Sequence, residues 1–251
     1  MTLSLTTCGP IARLAINRPD KRNAFNQAMW DALPGLITQA VADPAVRLII
    51  LQSGADGIFC AGADIGELLA NKDDAAWRAA NQTAINRAQH VLARATKPTL
   101  AFIDGDCVGG GCGLALACDI RIATPRARLG ITPAKLGLVY PLHDTKLLVD
   151  LVGPGQAKRM LFTGALLDAD EALRIGLVDV IGDGPNEMAD NIAAASPHSC
   201  REIKVFVRRI LDGQVDDDGD TLAVFAQAFT GPDFLEGTQA FVQKRKPEFK
   251  T

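Results

Sequence analysis

The sequence predicts an α/β protein whose last part is helical. Up to about residue 140, short apolar runs typical of buried parallel strands alternate with segments of helical periodicity. Beyond that point the segments resemble helices, each bounded by glycine or proline. With 251 residues, 48% of them hydrophobic and 22% charged, the chain can bury a large core. We place one boundary near residue 190, between an α/β core over 1–190 and a helical region over 191–251.

The elements of the first part follow one another as strand, helix and strand. The run IARLAINRP alternates apolar and polar residues, which predicts a strand that leaves its sheet at Pro19. Apolar residues recur at helical spacing after Asn26, which is the predicted N-cap of that helix. The runs VRLIILQS, PTLAFIDGDCV and IRIAT each predict one buried strand. The segment AWRAANQTAINRAQHVLARA predicts a long helix between the first two of these runs.

The segments after residue 142 all predict helices. They are LHDTKLLVDLVG, GQAKRMLFTG, DADEALRIG, PNEMADNIAAAS, REIKVFVRRILDG and two more around TLAVFAQAFT and DFLEGTQAFVQKRK. Glycine or proline punctuates each of them, as expected where one helix ends and the next begins.

Composition narrows the classes of function. A net charge of -3 argues against a general nucleic-acid binder, although local basic clusters leave room for one anionic ligand. No apolar run approaches the roughly 20 residues of a membrane helix, and the start lacks the features of a signal peptide, so we expect a cytoplasmic protein. The six cysteines form no CxxC pair, which predicts reduced thiols rather than disulfides or a metal site.

A glycine cluster stands in the stretch CVGGGCGLALACDIRIA. Glycines between a buried strand and a helix expose backbone N–H groups, which suit a phosphate or a developing oxyanion. A P-loop is a poor fit because Cys112 and Gly113 follow the glycines in place of lysine and serine or threonine. A dinucleotide site is also a poor fit, because Arg128 and Leu129 stand where an acidic residue is expected. Tight packing of the helix on the sheet is the structural alternative.

A second stretch, GIFCAGADIGELL, offers another backbone donor. It places Gly62 and Ala63 after a strand and before a short helix that begins near Asp64. Two N–H donors from two strand-to-helix turns are what an oxyanion hole for acyl chemistry requires. The pair of turns therefore favours acyl chemistry over phosphate binding.

Five motifs follow one another along almost the whole chain: NRPDKRNAF, FCAGADI, GGGCGLALACDIRIA, ITPAKLGLVYP and AFVQKRKPEF. Their order and approximate spacing resemble those of the crotonase superfamily, the enoyl-CoA hydratase/isomerase family. The resemblance implies an acyl-CoA thioester substrate and no cofactor besides the CoA of the substrate. It also implies a spiral core of β-β-α units and a C-terminal helical region that forms a homotrimer or a dimer of trimers.

The resemblance also assigns roles to residues. The backbone N–H groups of Ala63 and Gly110 match the donors that polarise the thioester carbonyl. Contacts with CoA are implied for Ala61, Asp64 and Ile65 in the adenine loop, for Lys21, Arg22 and Ala24 at a strand exit, and for Phe241 and Lys244 in the tail. Each basic residue has the alternative of a solvated surface charge.

Two positions depart from the family pattern. Hydratases of the family use two glutamates, one as base and one as acid. Gly113 stands at the position of the first glutamate, and Pro133 at the position of the second. The chain therefore retains the implied oxyanion hole and lacks the usual source of the enolate that such a hole stabilises.

Decarboxylation is one alternative, because a malonyl-type CoA forms the enolate by losing CO₂ without a protein base. Tyr140 lies in a stretch similar to the one that carries the carboxylate-contacting tyrosine of methylmalonyl-CoA decarboxylases. Those enzymes have a histidine at the position of Ala63 and an acidic residue at that of Gly113. Tyr140 is otherwise a partly buried aromatic residue with a structural hydrogen-bond partner.

Other polar groups could replace the missing carboxylates. His143 is suited to proton transfer, while Asp144 is expected to be the N-cap of the helix DTKLLVDLVG. Asp64 and Glu67 are further candidates, for which stabilisation of a helix start is the simpler explanation. A bound anion such as bicarbonate, as in naphthoyl-CoA synthases, is another alternative, for which Gly113 would leave room.

We therefore expect a crotonase-fold enzyme that acts on an acyl-CoA thioester through the Ala63 and Gly110 amides. A malonyl-type-CoA decarboxylase or an acyl-CoA hydrolase, using Tyr140 or His143, is the first alternative. A CoA-thioester-binding protein without activity is the second.

Overall fold

The computed structural model describes residues 2–250, and within them the chain forms ten strands and ten α-helices. The strands are β1 (Leu3–Cys8), β2 (Ile11–Ile16), β3 (Leu48–Ser53), β4 (Ile58–Cys60), β5 (Thr99–Ile103), β6 (Asp106–Val108), β7 (Ile120–Ala123), β8 (Arg128–Gly130), β9 (Leu167–Asp168) and β10 (Val180–Ile181). The helices are α1 (Gln27–Ala42), α2 (Ile65–Ala70), α3 (Ala75–Ala93), α4 (Gly110–Leu116), α5 (Leu142–Thr163), α6 (Ala169–Arg174), α7 (Asn186–Ala194), α8 (Pro197–Leu211), α9 (Gly219–Ala228) and α10 (Pro232–Gln243).

The strands form two sheets. The larger sheet has the order β1-β2-β3-β5-β7-β10, and only its β1–β2 pair is antiparallel. The smaller sheet has the order β4-β6-β8-β9, in which β4, β6 and β8 are parallel and β9 is antiparallel to β8. The mixed α/β class predicted from the sequence is confirmed.

Three successive units build both sheets. In the units β3-β4-α2, β5-β6-α4 and β7-β8-α5, the first strand joins the larger sheet and the second joins the smaller one. This is the predicted spiral of β-β-α units. Because β4 and β6 are neighbours in the smaller sheet, the turns that lead from them into α2 and α4 lie side by side.

The core confirms several sequence patterns. All four residues of the run 48–51 in β3 are buried, as expected for a strand between β2 and β5. Asn26 caps α1 by accepting a hydrogen bond from the Met29 N–H. All six cysteines are unpaired, and four of them are buried.

The run PTLAFIDGDCV forms two strands, so the prediction of one strand there was wrong. β5 ends at Ile103 and β6 begins at Asp106, in the other sheet. Gly105, between them, has a φ of 79°, and a Cβ atom on it would overlap the Gly57 carbonyl group. An apolar run does not reveal this bend, because both strands are buried.

The predicted helices after residue 142 are present, but β9 and β10 also lie there, so the prediction of helices alone was wrong; each of these strands has only two residues, too few for a periodic pattern. Gly153, with a φ of 72° and a ψ of 165°, interrupts α5 between LHDTKLLVDLVG and GQAKRMLFTG. Residue 190 lies inside α7, and all ten strands within residues 2–250 precede it. Of the helices that the structure describes, none is both long and apolar enough to cross a bilayer. The last two helices and the turn between them expose large apolar side chains, at Leu222, Phe225, Phe229, Leu235, Phe241 and Val242. An oligomer that covers them remains a prediction.

Candidate active site

Two backbone turns touch each other at the ends of β4 and β6. A Cβ atom on Gly110 would lie 3.6 Å from the Ala63 nitrogen. A Cβ atom on Gly62 would lie 2.8 Å from the Val108 oxygen and 3.2 Å from the Gly110 nitrogen. Gly62 also has a φ of 97°, a conformation that other residues rarely adopt. The close approach of the two turns therefore depends on glycine.

The Ala63 and Gly110 N–H groups are both available to a ligand. The Phe25 N–H donates to Gly62 O and the Asp64 N–H donates to Phe25 O, each at 2.8 Å, which fixes the peptides on both sides of Ala63. Gly110 is the first residue of α4, so its N–H has no partner within the helix. Within residues 2–250, neither N–H has an acceptor. The structure thus brings the two predicted donors together.

Glycine at position 111 serves packing rather than ligand binding. A Cβ atom there would lie 2.5 Å from the Cys60 oxygen and 2.7 Å from the Cys60 Cβ atom. The tight packing of helix on sheet, considered from the sequence as an alternative, therefore holds at this glycine. The burial that accompanies this packing raises the pKa of Cys60 to about 12, so its thiol stays protonated.

Three side chains fill the space beside Gly113, the predicted position of the first glutamate of the family. A Cβ atom on Gly113 would overlap Gln89 Nε2, and it would lie 2.9 Å from Tyr140 Oη and 3.3 Å from Asp144 Oδ2. Protein side chains therefore occupy the space directly beside Gly113, which argues against a bicarbonate in contact with this residue. Gln89 of α3, Tyr140 of the segment before α5 and Asp144 of α5 meet beside Gly113. We call this group the polar corner; it lies one helical turn from Gly110.

Asp144 is not the N-cap that the sequence predicts. The helix α5 begins at Leu142 with Pro141 at the N-cap position, so Asp144 lies within the first turn. Its side chain is 2% exposed and faces Gly113. Burial raises the pKa of Asp144, and the neighbouring Gln89 and His143 oppose this rise only in part. The corner beside Gly113 therefore contains a carboxyl group with a tendency to hold its proton.

Two histidines connect this carboxyl group to the surface. His143 Nδ1 lies 3.4 Å from Asp144 Oδ1, and the His143 side chain is 32% exposed. Its ring centroid lies 6.1 Å from that of His90, which is exposed. Partial burial lowers the pKa of His90, and the charges of Arg94 and His143 lower it further. A proton on Asp144 therefore has titratable groups between it and solvent.

Tyr140 contacts the oxyanion turn directly. Its hydroxyl donates a hydrogen bond of 3.2 Å to the Gly109 oxygen. That oxygen belongs to the same planar peptide group as the Gly110 N–H, so Tyr140 helps to fix the direction of this donor. Burial, followed by the charge of Asp144, raises the pKa of Tyr140 well above its usual value, which keeps the hydroxyl protonated as a donor.

Asp64 stabilises the start of α2, and Glu67 stabilises the start of α1. The Asp64 carboxylate accepts from the Gly66 and Glu67 N–H groups and forms an ion pair of 2.7 Å with Arg18. This hydrogen bonding lowers the pKa of Asp64, with the Arg18 contact as the largest cause. Glu67 accepts a 2.8 Å hydrogen bond from the Gln27 N–H. The simpler explanation of both acids, helix-start stabilisation, is confirmed, while Ile65 beside them is 44% exposed.

The strand exit after β2 is tied to the smaller sheet. Arg22 lies 2.5 Å from the Asp106 carboxylate and its side chain is 60% exposed, so it is a surface cation paired with a buried acid. Its carbonyl accepts a 3.0 Å hydrogen bond from the Ala61 N–H, which joins this segment to the oxyanion turn. Lys21 is exposed and Ala24 is buried. Contact of these residues with CoA stays a prediction.

The remaining predicted residues lie on the outside or lack reactive groups. Phe241 is 84% exposed on α10, and Lys244 follows the end of that helix with a φ of 53°. Pro133 begins a short 3-10 turn over Pro133–Leu136 and brings no acid or base to the second glutamate position. A role of the tail in CoA binding remains a prediction.

Sequence reasoning missed Gln89. Its side chain is fully buried, and neither amide atom has a hydrogen-bond partner of good geometry within the described residues. The available signal is its place on the buried stripe of α3, which includes Ala88 and Leu92. A polar residue on an otherwise apolar helix face marks a candidate site.

Comparisons with known proteins agree with this geometry. The sequence model of the family described as enoyl-CoA hydratase/isomerase matches residues 7–251. Crotonyl-CoA hydratase from Syntrophomonas wolfei is 34% identical over 248 residues, which cover 95% of this chain and 94% of that protein. Short-chain-enoyl-CoA hydratase from Clostridium acetobutylicum is 33% identical, over 96% of this chain and 94% of that protein. The crystal structure of an enoyl-CoA hydratase/isomerase family protein from Hyphomonas neptunium superposes with a TM-score of 0.95 at 39% identity, covering 100% of this chain and 98% of that one.

Proposed function

Because the chain belongs to the enoyl-CoA hydratase/isomerase family of the crotonase superfamily, we propose that it moves a proton on an acyl-CoA thioester with Asp144 as the acid–base group. The proposed reaction is the isomerisation of a 3-enoyl-CoA to the conjugated 2-enoyl-CoA. The observation that carries it is the buried Asp144 carboxyl group beside Gly113, where the family pattern has a glutamate.

The backbone turns supply the electrostatic part of the reaction. A thioester oxygen that accepts from both Ala63 N–H and Gly110 N–H makes the α-proton more acidic, because negative charge on that oxygen is stabilised as the proton leaves. One donor of this kind typically contributes about 3–4 kcal/mol to the barrier. Tyr140, through its bond to Gly109 O, holds one of the donors in place.

Asp144 then transfers the proton between two carbons. Its carboxylate removes the α-proton, and the electron pair of that C–H bond forms the enolate, conjugated with the existing double bond. The same proton returns to the γ-carbon, the double bond moves into conjugation, and the thioester carbonyl re-forms. One carboxyl group suffices, since it acts first as base and then as acid. Burial raises the pKa of Asp144 above its usual value, which makes the carboxylate a stronger base for the first step.

Hydration of a 2-enoyl-CoA is the second candidate. It requires a base for water and an acid for the α-carbon. The 3.4 Å separation of His143 Nδ1 and Asp144 Oδ1 favours it, because two titratable groups then lie together. Decarboxylation is less favoured, because the carboxyl group of Asp144 would lie near the carboxylate of a malonyl-type substrate and the Tyr140 hydroxyl is already bonded to Gly109 O.

The test uses Asp144→Asn and measures proton transfer directly. Purified protein is incubated with a 3-enoyl-CoA, and the conjugated product is followed by ultraviolet absorbance. Deuterium uptake into a saturated acyl-CoA in D₂O, measured by mass spectrometry, reports the enolate without a full reaction. We expect Asp144→Asn to lower both rates by about 10²–10⁴-fold, the usual range for general acid–base catalysis.

Asp190→Asn, an identical change at an exposed position of α7, is the matched control and keeps both rates. If Asp144→Asn exchanges deuterium as fast as the unaltered protein, Asp144 is not the base. If hydration is fast and isomerisation is absent, the second candidate replaces the first. Tight binding of acyl-CoA with no exchange and no turnover would identify a binding protein instead.

A further inference from the structure

The proposed reaction leaves one buried side chain of the polar corner without a role. Gln89 lies on the inward face of α3 and is fully buried. Within residues 2–250, neither its Nε2 nor its Oε1 atom has a hydrogen-bond partner of good geometry. An amide without partners in a dry interior destabilises the folded state, because it has given up its hydrogen bonds to water. Such a group in a folded protein requires an explanation.

The Gln89 amide faces the carboxyl group of Asp144. A Cβ atom on Gly113 would overlap Gln89 Nε2 and would lie 3.3 Å from Asp144 Oδ2, so the two side chains adjoin the same point. Burial has the largest effect on the pKa of Asp144 and raises it, whereas the Gln89 amide has the next largest effect and lowers it. The amide therefore stabilises the ionised form of the carboxyl group.

The two oxygens of Asp144 have different neighbours. His143 Nδ1 lies 3.4 Å from Oδ1, whereas Oδ2 is the oxygen beside Gly113. The other titratable group that faces Asp144 is Tyr140, whose hydroxyl donates to Gly109 O. Burial, followed by the charge of Asp144, raises the pKa of Tyr140 well above its usual value, so this hydroxyl stays protonated. The Oδ2 side of the carboxyl group is therefore left to Gln89.

A carboxamide can serve both protonation states of a carboxyl group. Its NH₂ group donates to an ionised carboxylate, and its oxygen accepts from a protonated one. Rotation of the Gln89 amide exchanges these two groups. A proton can then leave and return to Asp144 without either state being unpartnered in the dry corner.

We propose that Gln89 is the positioning residue of the acid–base group: it holds Asp144 Oδ2 beside Gly113 and is a hydrogen-bond partner of both the ionised and the protonated carboxyl group. The inference rests on the proposed function, in which Asp144 first removes a proton and then returns it. Without the amide, the ionised carboxylate loses a donor and is free to turn away from the reacting carbons. Gln89 thus affects the rate through Asp144 and not through the substrate.

Gln89→Met removes both polar atoms and keeps a flexible side chain of similar length. We expect thermal unfolding at an unchanged or higher temperature, because methionine has no amide to leave unpartnered. The maximal rate of isomerisation is expected to fall about tenfold, with the Michaelis constant within about twofold. The acidic limb of the pH–rate profile is expected to move up by about one pH unit, since ionised Asp144 has lost a donor.

Gln82→Met, the same change at an exposed position of α3, is the matched control. We expect it to leave the rate and the pH–rate profile unchanged. A profile that moves equally in both variants would mean a general disturbance of α3 and would overturn the inference.

A double variant tests whether Gln89 acts through Asp144. In a protein that already carries Asp144→Asn, adding Gln89→Met is expected to change the rate of deuterium exchange by less than about twofold, because the carboxyl group that the amide holds is absent. A further tenfold loss in that protein would mean that Gln89 acts on the substrate directly, and it would overturn the inference.

Titration of the free protein separates this inference from the proposed function. The carboxyl carbon of Asp144, observed by NMR in protein with isotopically labelled aspartate and assigned by its absence in Asp144→Asn, reports the pKa without any substrate. We expect Gln89→Met to raise this pKa by about one unit. An unchanged pKa overturns the inference alone where Asp144→Asn still lowers the exchange rate. A raised pKa in a protein whose exchange does not depend on Asp144 supports the contact between Gln89 and Asp144 and removes the proposed reaction.

Discussion

Two buried aspartates have opposite surroundings. Asp104 lies at the bend between β5 and β6, and Asp144 lies in the first turn of α5. Asp104 accepts hydrogen bonds from the Gly57 N–H and the Thr124 hydroxyl and forms an ion pair with Arg126. These contacts lower the pKa of Asp104 to about 2, with the Arg126 contact as the largest cause. Among residues 2–250, no lysine or arginine pairs with Asp144; His143 Nδ1 lies 3.4 Å from its carboxyl group, and burial raises the pKa of Asp144.

The surroundings of a buried carboxyl group decide what it does in this fold. At the bend, a fully bonded carboxylate fixes two chain segments and stays ionised at every physiological pH. At α5, a carboxyl group with fewer hydrogen-bond partners faces Gly113, and burial raises its pKa above the usual value. Stability at Asp104 and the proposed proton transfer at Asp144 therefore require opposite surroundings for a buried carboxyl group.

The largest expected effect on stability is at the bend. Asp104→Asn removes the ionic part of the contact with Arg126, and we expect a loss of about 1–2 kcal/mol in the free energy of unfolding, since the guanidinium is 60% exposed and screened. The measurement is urea unfolding at pH 7, with the rate of deuterium exchange as a second readout. Turnover per folded molecule is expected to stay within about twofold of the unaltered protein, because Asp104 lies outside the site.

The stability lost in Asp104→Asn depends on pH. A carboxylate whose pKa is lowered on folding stabilises the protein above its unfolded pKa of roughly 4, and this stabilisation disappears as the pH falls toward about 2. The stability difference between Asp104→Asn and the unaltered protein is therefore largest at neutral pH. A difference that grows on acidification would contradict the assigned ion pair.

A smaller effect, on the reaction rate, is expected from Tyr140→Phe. This substitution tests the candidate active site rather than the bend at Asp104. The substitution removes the hydroxyl that holds Gly109 O while keeping the ring in place. We expect the maximal rate to fall about tenfold with little change in the Michaelis constant, because the misaligned Gly110 N–H stabilises the enolate less than before. Phe162→Leu, a change at an exposed ring on α5, is a control for loss of aromatic surface in the rate measurement.

A rise in the Michaelis constant alone would assign Tyr140 to substrate binding instead. Release of CO₂ from a malonyl-type CoA, abolished by the same substitution, would restore the decarboxylase alternative. These two outcomes and the expected one differ in kinetics and in product, so one set of assays distinguishes them.

The backbone half of the candidate site could be predicted from the sequence, because it depends on glycines at fixed places between strands and helices. The spacing of Gly62 and Gly110 after apolar runs indicated two donor turns, and the structure places them in contact. The strands and helices with clear periodicity were predictable for the same reason. The bend at Gly105 was missed, since two buried strands in succession give one continuous apolar run.

The side-chain half could not be predicted in the same way. Asp144 precedes an apolar helical pattern and resembles an N-cap, but Pro141 starts the helix earlier and turns Asp144 toward Gly113. Gln89 lies in no recognisable motif. Which residues meet beside Gly113 depends on how α3 and α5 pack against α4, and local sequence carries no information about that packing.

The smallest expected effect is a gain in stability from Asp144→Asn, opposite in sign to that of Asp104→Asn. Burial raises the pKa of Asp144 in the folded state, so between roughly pH 4 and that raised value the unfolded chain releases its proton first. The free energy of unfolding of the unaltered protein therefore falls as the pH rises through this window. Asparagine does not titrate, so the variant is expected to be the more stable protein at pH 7, by an amount that vanishes near pH 4. Thermal unfolding of both proteins across this pH range measures the stability difference. A difference that stays constant with pH would mean that His143 and Gln89 fully compensate the buried charge of Asp144.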